Sequence, residues 1–192
     1  MSGIWIGALL GVTFVADVPA QQTGWTVAEE QVAACFTAMD REPALAVVNA
    51  KFVRRNPKEA QLADPVAATE QESAALRERV RKTRPCRELR LAAVRSFHPH
   101  LEPAYATLYY QADQVFAYLI DGWISFGTAN RLSEESLSLF EARSKAYFAA
   151  DEAERQALAN VWDETLQRAH SNPPPDRLRS SCEWQDLNIV CD

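Results

Sequence analysis

The chain has 192 residues, 47% hydrophobic and 24% charged, which fits one folded domain with a substantial core and excludes a disordered or collagen-like polymer. Three of its six glycines (Gly3, Gly7, Gly11) sit at the start, leaving Gly24, Gly122 and Gly127, so glycine-rich phosphate loops and dinucleotide fingerprints are excluded. The net charge of −6 is unevenly spread: residues 51–95 carry twelve bases and six acids, whereas 96–170 carry eleven acids and five bases.

Ile4 to Val15 form an uncharged apolar run, and Val18-Pro19-Ala20 places small residues where signal peptidase reads them. A signal peptide over residues 1–20 is therefore expected, with the mature protein starting near Gln21. The run falls short of the about 20 apolar residues that span a bilayer, and no later segment reaches that length, so no membrane span is expected after cleavage. The segment before the run has no Lys or Arg, which leaves an uncleaved anchor as the alternative. Export to the periplasm or the medium implies an oxidising compartment. Cys35, Cys86, Cys182 and Cys191 lack the paired spacings of zinc or redox motifs, so disulfides are expected. Four cysteines allow three pairings; the working hypothesis joins Cys35 to Cys86 and Cys182 to Cys191.

Helical signals dominate the remainder. Thr26 and Glu29 have capping-box spacing, and Val32, Phe36 and Met39 share one face, predicting a helix to about Asp40. Pro43 suits a first helical position, with Leu45, Val48 and Phe52 as the next apolar stripe. Asn56-Pro57 and Asp64-Pro65 read as two further starts, and 65–82, poor in large apolar residues, as a surface helix. Pro85 is expected to open a new helix with Leu89, Ala93 and Phe97 on one face, ending at His98-Pro99. Tyr105, Leu108, Ala112, Val115 and Leu119 step by three and four, the spacing of a helix lying lengthwise in a bundle, and Gly122 supplies a left-handed cap.

Ser125 starts a helix with Ala129, Leu132, Leu137, Phe140 and Tyr147. Asp151 and Glu154 start another with Leu158, Trp162, Leu166 and Ala169. No run alternates with a period of two. The expected fold is an all-α helical bundle over 21–170 braced by disulfides. Residues 171–192 would form a connector containing Pro173-Pro174-Pro175 and a small irregular tail closed by Cys182–Cys191, with Leu187, Ile189 and Val190 able to form a short strand.

Four features carry candidate chemistry. Arg77, Arg79, Arg81, Lys82, Arg84, Arg87, Arg90 and Arg95 form a basic concentration, suited either to an anionic partner or to pairing with the acidic segment. Arg77, Arg79, Arg81 and Arg84 are the candidate binding residues. No aromatics interleave with them, so nucleic acid is not expected. His98, His100, Glu102 and His170 are metal-type residues, but at a proline-bound joint they read as a polar turn, and no metal or other cofactor is expected. Glu134 and Glu135 are the candidate acids of a lysozyme-like cell-wall (peptidoglycan) hydrolase, which needs a carboxyl of raised pKa in a cleft.

Residues 121–131 are the most distinctive stretch. Trp123, Phe126, Asn130 and Arg131 there are either a recognition tip or the pins of a helix–helix corner. The pattern Gly122-Trp123-Ile124-Ser125-Phe126 followed by Asn130-Arg131 resembles a turn of small uncharacterised exported helical proteins of bacteria. That resemblance is confined to this corner and implies no activity. The expected function is thus that of an exported, non-enzymatic binding or interaction protein of the bacterial envelope. Its expected partner is an anionic envelope component or another envelope protein, and the hydrolase is the alternative.

Overall fold

The computed structural model describes residues 18–171, 182–185 and 188–191. Seven helices follow in order: α1 (Val18–Asp40), α2 (Ala46–Asn49), α3 (Glu59–Leu62), α4 (Glu70–Phe97), α5 (Glu102–Ile120), α6 (Phe126–Ala149) and α7 (Glu152–Ser171). Short 3₁₀ turns at Pro43–Leu45 and Pro99–Leu101 lead into α2 and α5. The body is all-helical, and no helix among the described residues is long and apolar enough to cross a membrane. The apolar run 4–15 and the prolines 173–175 lie outside the described residues, and α1 begins inside the expected cleavage site.

The C-terminal tail is more regular than expected. Its strands β1 (Cys182–Gln185) and β2 (Asn188–Cys191) pair antiparallel, with Cys182 opposite Cys191 and Trp184 opposite Ile189, and their backbones lie beside α6 and α5.

Several boundaries follow from local chemistry. At the end of α5 the Trp123 N–H bonds the Tyr118 carbonyl at 2.8 Å and the Gly122 N–H bonds that of Leu119 at 3.2 Å, the paired bonds of a Schellman cap. Gly122 sits at φ 73°, and the Trp123 and Tyr118 rings pack edge to face 5.0 Å apart across the motif. Ser125 Oγ accepts the Thr128 N–H at 3.2 Å to start α6. Asp151 and Glu154 cap α7 reciprocally at 2.9 and 3.1 Å.

The region from 50 to 97 departs from the sequence reading. Pro85 does not open a helix; it lies inside the 28-residue α4 and gives up the bond an N–H would make to the Arg81 carbonyl. The start of α4 is set by Thr69 and Glu72, a capping box with bonds of 2.8 to 3.3 Å. Asp64-Pro65 begins no helix but an extended stretch in which Ala67 bridges Ser125. Asn56, at φ 51°, forms a turn before Pro57, and α3 is one turn long. Thr26 and Glu29 form no start either, because α1 is already under way and Glu29 pairs with Arg90. Leu89, read as core, is 37% exposed, while the buried face of α4 carries Glu72, Ser73, Arg79 and Thr83 beside Leu76, Cys86, Ala93 and Val94. A helix whose inner face is half polar escapes detection by apolar periodicity.

α5 packs against α4, α6 and α7, and α1 lies along α4. Cys35 and Cys86 form a disulfide between α1 and α4 with Cα atoms 5.6 Å apart, as hypothesised. Chain-entropy reasoning assigns a loop of this length, 51 residues, about 4 kcal/mol. The apolar interior is split in two. One cluster gathers Leu45, Val48, Phe52, Leu76, Leu119, Phe126 and Leu132 around the α5–α6 corner; the other joins Val94, Leu101, Ala104, Tyr147 and Trp162 where α7 returns.

Candidate functional site

Between these two clusters lies a partly enclosed cavity of about 860 Å³. Its apolar lining belongs to both: Phe36, Met39, Phe52 and Phe116 pack with the first, Tyr105 and Phe140 with the second. A partly open cleft of this size has the volume usual for small-molecule sites. α1 and α4, joined by the disulfide, form two walls; the 49–55 segment, α5 and α6 form the others.

The polar lining is rich in guanidinium groups: Arg79 and Arg90 from α4, Arg54 and Arg55 from the segment after α2. Arg79 pairs with Asp40 at 2.9 Å and bonds the Asn49 side chain. Arg90 pairs with Glu29 and bonds the Tyr105 hydroxyl at 3.2 Å, its guanidinium 5.4 Å from that ring's centre. Arg55 reaches Glu141 at 2.8 Å. Just behind, Arg87 lies 5.0 Å over the Tyr109 ring and meets Asp113 at 2.5 Å, while its Nε and Nη2 are buried without a hydrogen-bond partner.

Arg54 differs from these. Among the described residues its guanidinium makes no hydrogen bond and has no carboxylate at ion-pair distance. Burial lowers it, and the like charges of Arg87 and Arg79 lower it further, to about 10, against the weaker pull of Tyr109 and Asp40. Burial likewise pushes the Tyr109 hydroxyl up to about 12, so it remains a neutral donor at any ordinary pH. Neutral Tyr109 and Arg54, the latter without an ion pair among the described residues, both line the cavity and offer donors to an anion.

The loop that presents Arg54 is held from the α6 corner. Asn130, fully buried, accepts the Val53 N–H at 2.8 Å and donates to the carbonyls of Lys51 and Gln61 at 2.9 and 3.0 Å. Lys51 in turn meets the buried Glu72 at 2.6 Å. Burial pushes the Glu72 carboxyl up, but the bonds from Lys51 and Thr69 outweigh it and hold it below the usual carboxylate range. The Phe126 and Gly127 N–H groups bond the Val66 and Asp64 carbonyls at 3.0 and 2.9 Å. A Cβ on Gly127 would sit 2.4 Å from the Leu62 carbonyl oxygen, so only glycine admits the strand-like stretch this close.

The residues singled out in the sequence are thereby sorted. Arg79 faces the cavity, whereas Arg77, Arg81 and Arg84 point to solvent, Arg81 pairing with Glu78 at 2.6 Å. One basic run becomes two faces because successive helical residues turn by about 100°: positions 79, 83, 87 and 90 recur on the inner side, and 77, 81, 84 and 95 on the outer. That period, applied to charges, was the available signal for Arg87 and Arg90; Arg54 carried none.

Phe126 and Asn130 do not form an exposed tip; both are 0% exposed and serve the corner. Trp123 packs on Tyr118, and Arg131 approaches Glu135 at 3.8 Å. Neither Glu134 nor Glu135 lines the cavity. His98 stacks against the Trp25, Tyr147 and Phe148 rings, His100 bonds Glu152 at 2.9 Å, and His170 lies 4.5 Å from the Tyr110 ring, so the three have separate partners. Glu102 pairs with Arg95 at 2.6 Å.

The outcome is an arginine-rich cavity between two apolar cores, in which Arg54 has no carboxylate partner among the described residues. No protein-family model matches the chain, and no match is found among curated proteins or solved structures.

Proposed function

We propose that this chain is an exported, non-enzymatic binding protein of the bacterial envelope whose cavity takes an anionic ligand. The observation that carries the reading is the Arg54 guanidinium, without a partner among the described residues, on the wall of a partly open cavity of about 860 Å³. A half-buried cation with no partner among the described residues carries a desolvation cost, and an anion entering the cleft offsets it. The same geometry shifts the expected recognition surface from the exposed Arg77, Arg81 and Arg84 to the inward guanidinium groups. Export rests on the apolar run and the small residues before Gln21, and the periplasm or the medium is the proposed location. A second disulfide, Cys182–Cys191, belongs to the same proposal; the antiparallel register that sets these two residues opposite one another supports it. The carboxylates at the cavity, Glu29 and Asp40, already pair with arginines, so nothing there favours a hydrolase acid over a binding role.

The test is calorimetric titration of the oxidised protein at low salt with acetate, benzoate, decanoate and inorganic phosphate. Saturable binding of at least one anion, weakened by added salt and by Arg54→Met, supports the proposal. Absence of binding by all four rejects it. Clearing of a cell-wall zymogram that is lost on replacing Glu134 or Glu135 would establish the hydrolase instead.

A further inference from the structure

Charge and surface together narrow the class of anion, on the premise above that the cavity binds one. Arg79, Arg90 and Arg55 each have a carboxylate partner, in Asp40, Glu29 and Glu141; Arg54 has none among the described residues. One uncompensated positive charge matches one negative charge. A dianion would exchange an excess cation for an excess anion in the partly enclosed cavity. Tyr109 lines the same cavity as Arg54, and its hydroxyl makes no hydrogen bond among the described residues. A guanidinium and a phenolic O–H lining one cavity are both donors to carboxylate oxygens. Besides the ion-paired arginines, the lining carries an apolar and aromatic surface of Phe36, Phe52, Phe116, Leu137 and Phe140. Such a surface rewards burial of hydrocarbon and offers little to a sugar or a peptide backbone. The volume, about 860 Å³, falls among the about 300–1,000 Å³ usual for small-molecule sites.

We infer that the ligand is a monoanionic amphiphile, a carboxylate on an aliphatic or aromatic body, with its head on Arg54 and Tyr109 and its body against Phe36, Phe52, Phe116 and Phe140.

Calorimetric titration with acetate, octanoate, decanoate, decanol and inorganic phosphate separates the contributions. Affinity is expected to rise about fourfold per added methylene from octanoate until the cavity is filled. Decanol is expected to bind at least tenfold more weakly than decanoate. Arg54→Met should remove that preference for the carboxylate, and Tyr109→Phe should reduce it several-fold. Arg54→Met removes an uncompensated charge and is expected to fold at least as stably as the parent, which a thermal melt checks; Tyr109→Phe changes one hydroxyl and serves as the second variant. Equal binding of decanol and decanoate overturns the carboxylate assignment. Phosphate or acetate binding as tightly as decanoate, with Arg54 dependence, overturns the amphiphile while leaving the anion-binding reading in place. No binding by any anion removes both. Arg54-dependent binding to phosphatidylglycerol vesicles would transfer the head group from a free carboxylate to a membrane lipid. Vesicle binding lost only on replacing Arg77, Arg81 and Arg84 would move recognition to the outer face of α4 and overturn the inference.

Discussion

Replacing Arg54 by methionine should make the protein more stable. The guanidinium falls from its ordinary 12.5 to about 10 through burial and the neighbouring Arg87 and Arg79 charges. Each pKa unit corresponds to about 1.4 kcal/mol, so keeping this side chain charged in the folded state costs on the order of 3 kcal/mol relative to the unfolded chain. The sign follows from a base whose folded value is depressed. The penalty is complete below about pH 10 and is relieved as pH rises from there to 12.5, so at neutral pH all of it is present. Methionine keeps a flexible stem of similar length without the charge, and water entering the open side of the cavity moderates the gain. The expected increase is about 1–3 kcal/mol, read from urea unfolding at pH 7 with the disulfide intact.

Arg79→Met is the companion measurement. It strands Asp40 and Asn49, the partners of the Arg79 guanidinium, and should destabilise. A variant at position 54 that is equally stable or less stable than the parent, with an unchanged denaturant slope, would refute the argument that this charge is uncompensated. The parent should also recover the lost stability when saturated with an anion, and the variant should not, because only a ligand that prefers the folded state shifts the unfolding equilibrium.

Asn130→Ala removes three hydrogen bonds between the α6 corner and the loop carrying Arg54. A loss of about 3 kcal/mol is expected in urea unfolding, at about 1 kcal/mol per bond, together with weaker anion binding despite the residue's absence from the cavity wall. Gly127→Ala must push aside the Leu62 and Asp64 backbone and should cost about 2–3 kcal/mol. Gly122→Ala meets nothing within 4 Å and should cost only the about 1 kcal/mol of a left-handed alanine; equal effects in the two melts would contradict this distinction. Burial, followed by the Arg155 charge, lowers His98 below the ordinary 6.5. Its contribution to stability is therefore present above that value and is lost as pH falls through the lowered one. His98→Phe keeps a ring among Trp25, Tyr147 and Phe148 and should flatten the fall in melting temperature between pH 7 and pH 5; an unchanged fall would assign it to other groups.

The parts of the fold legible in the sequence are those decided within a few residues of the chain. Gly122 after the α5 stripe, Ser125 before α6 and the Asp151–Glu154 pair each satisfy helix ends locally, and each acts where the spacing put it. Tyr105, Leu108, Ala112, Val115 and Leu119 marked α5 because that helix buries an apolar stripe on several neighbours at once. α4 was illegible for the opposite reason. Its inner face places Glu72, Arg79, Arg87 and Arg90 where partners in distant segments stabilise their burial. Pro85 then looked like a start, since its cost is visible locally and the long-range contacts that overcome it are not.

The candidate site divides the same way. Composition alone concentrated positive charge in 51–95, and the sequence marked 121–131 as unusual. Only the tertiary structure separated the inner arginines from the outer ones, turned the corner into a clamp through Asn130 and Gly127, and left Arg54 at the cavity with no ion pair among the described residues. Compensation of a charge depends on which carboxylates other helices bring within a few ångströms, and that is a property of packing in three dimensions, which spacing along one chain does not specify.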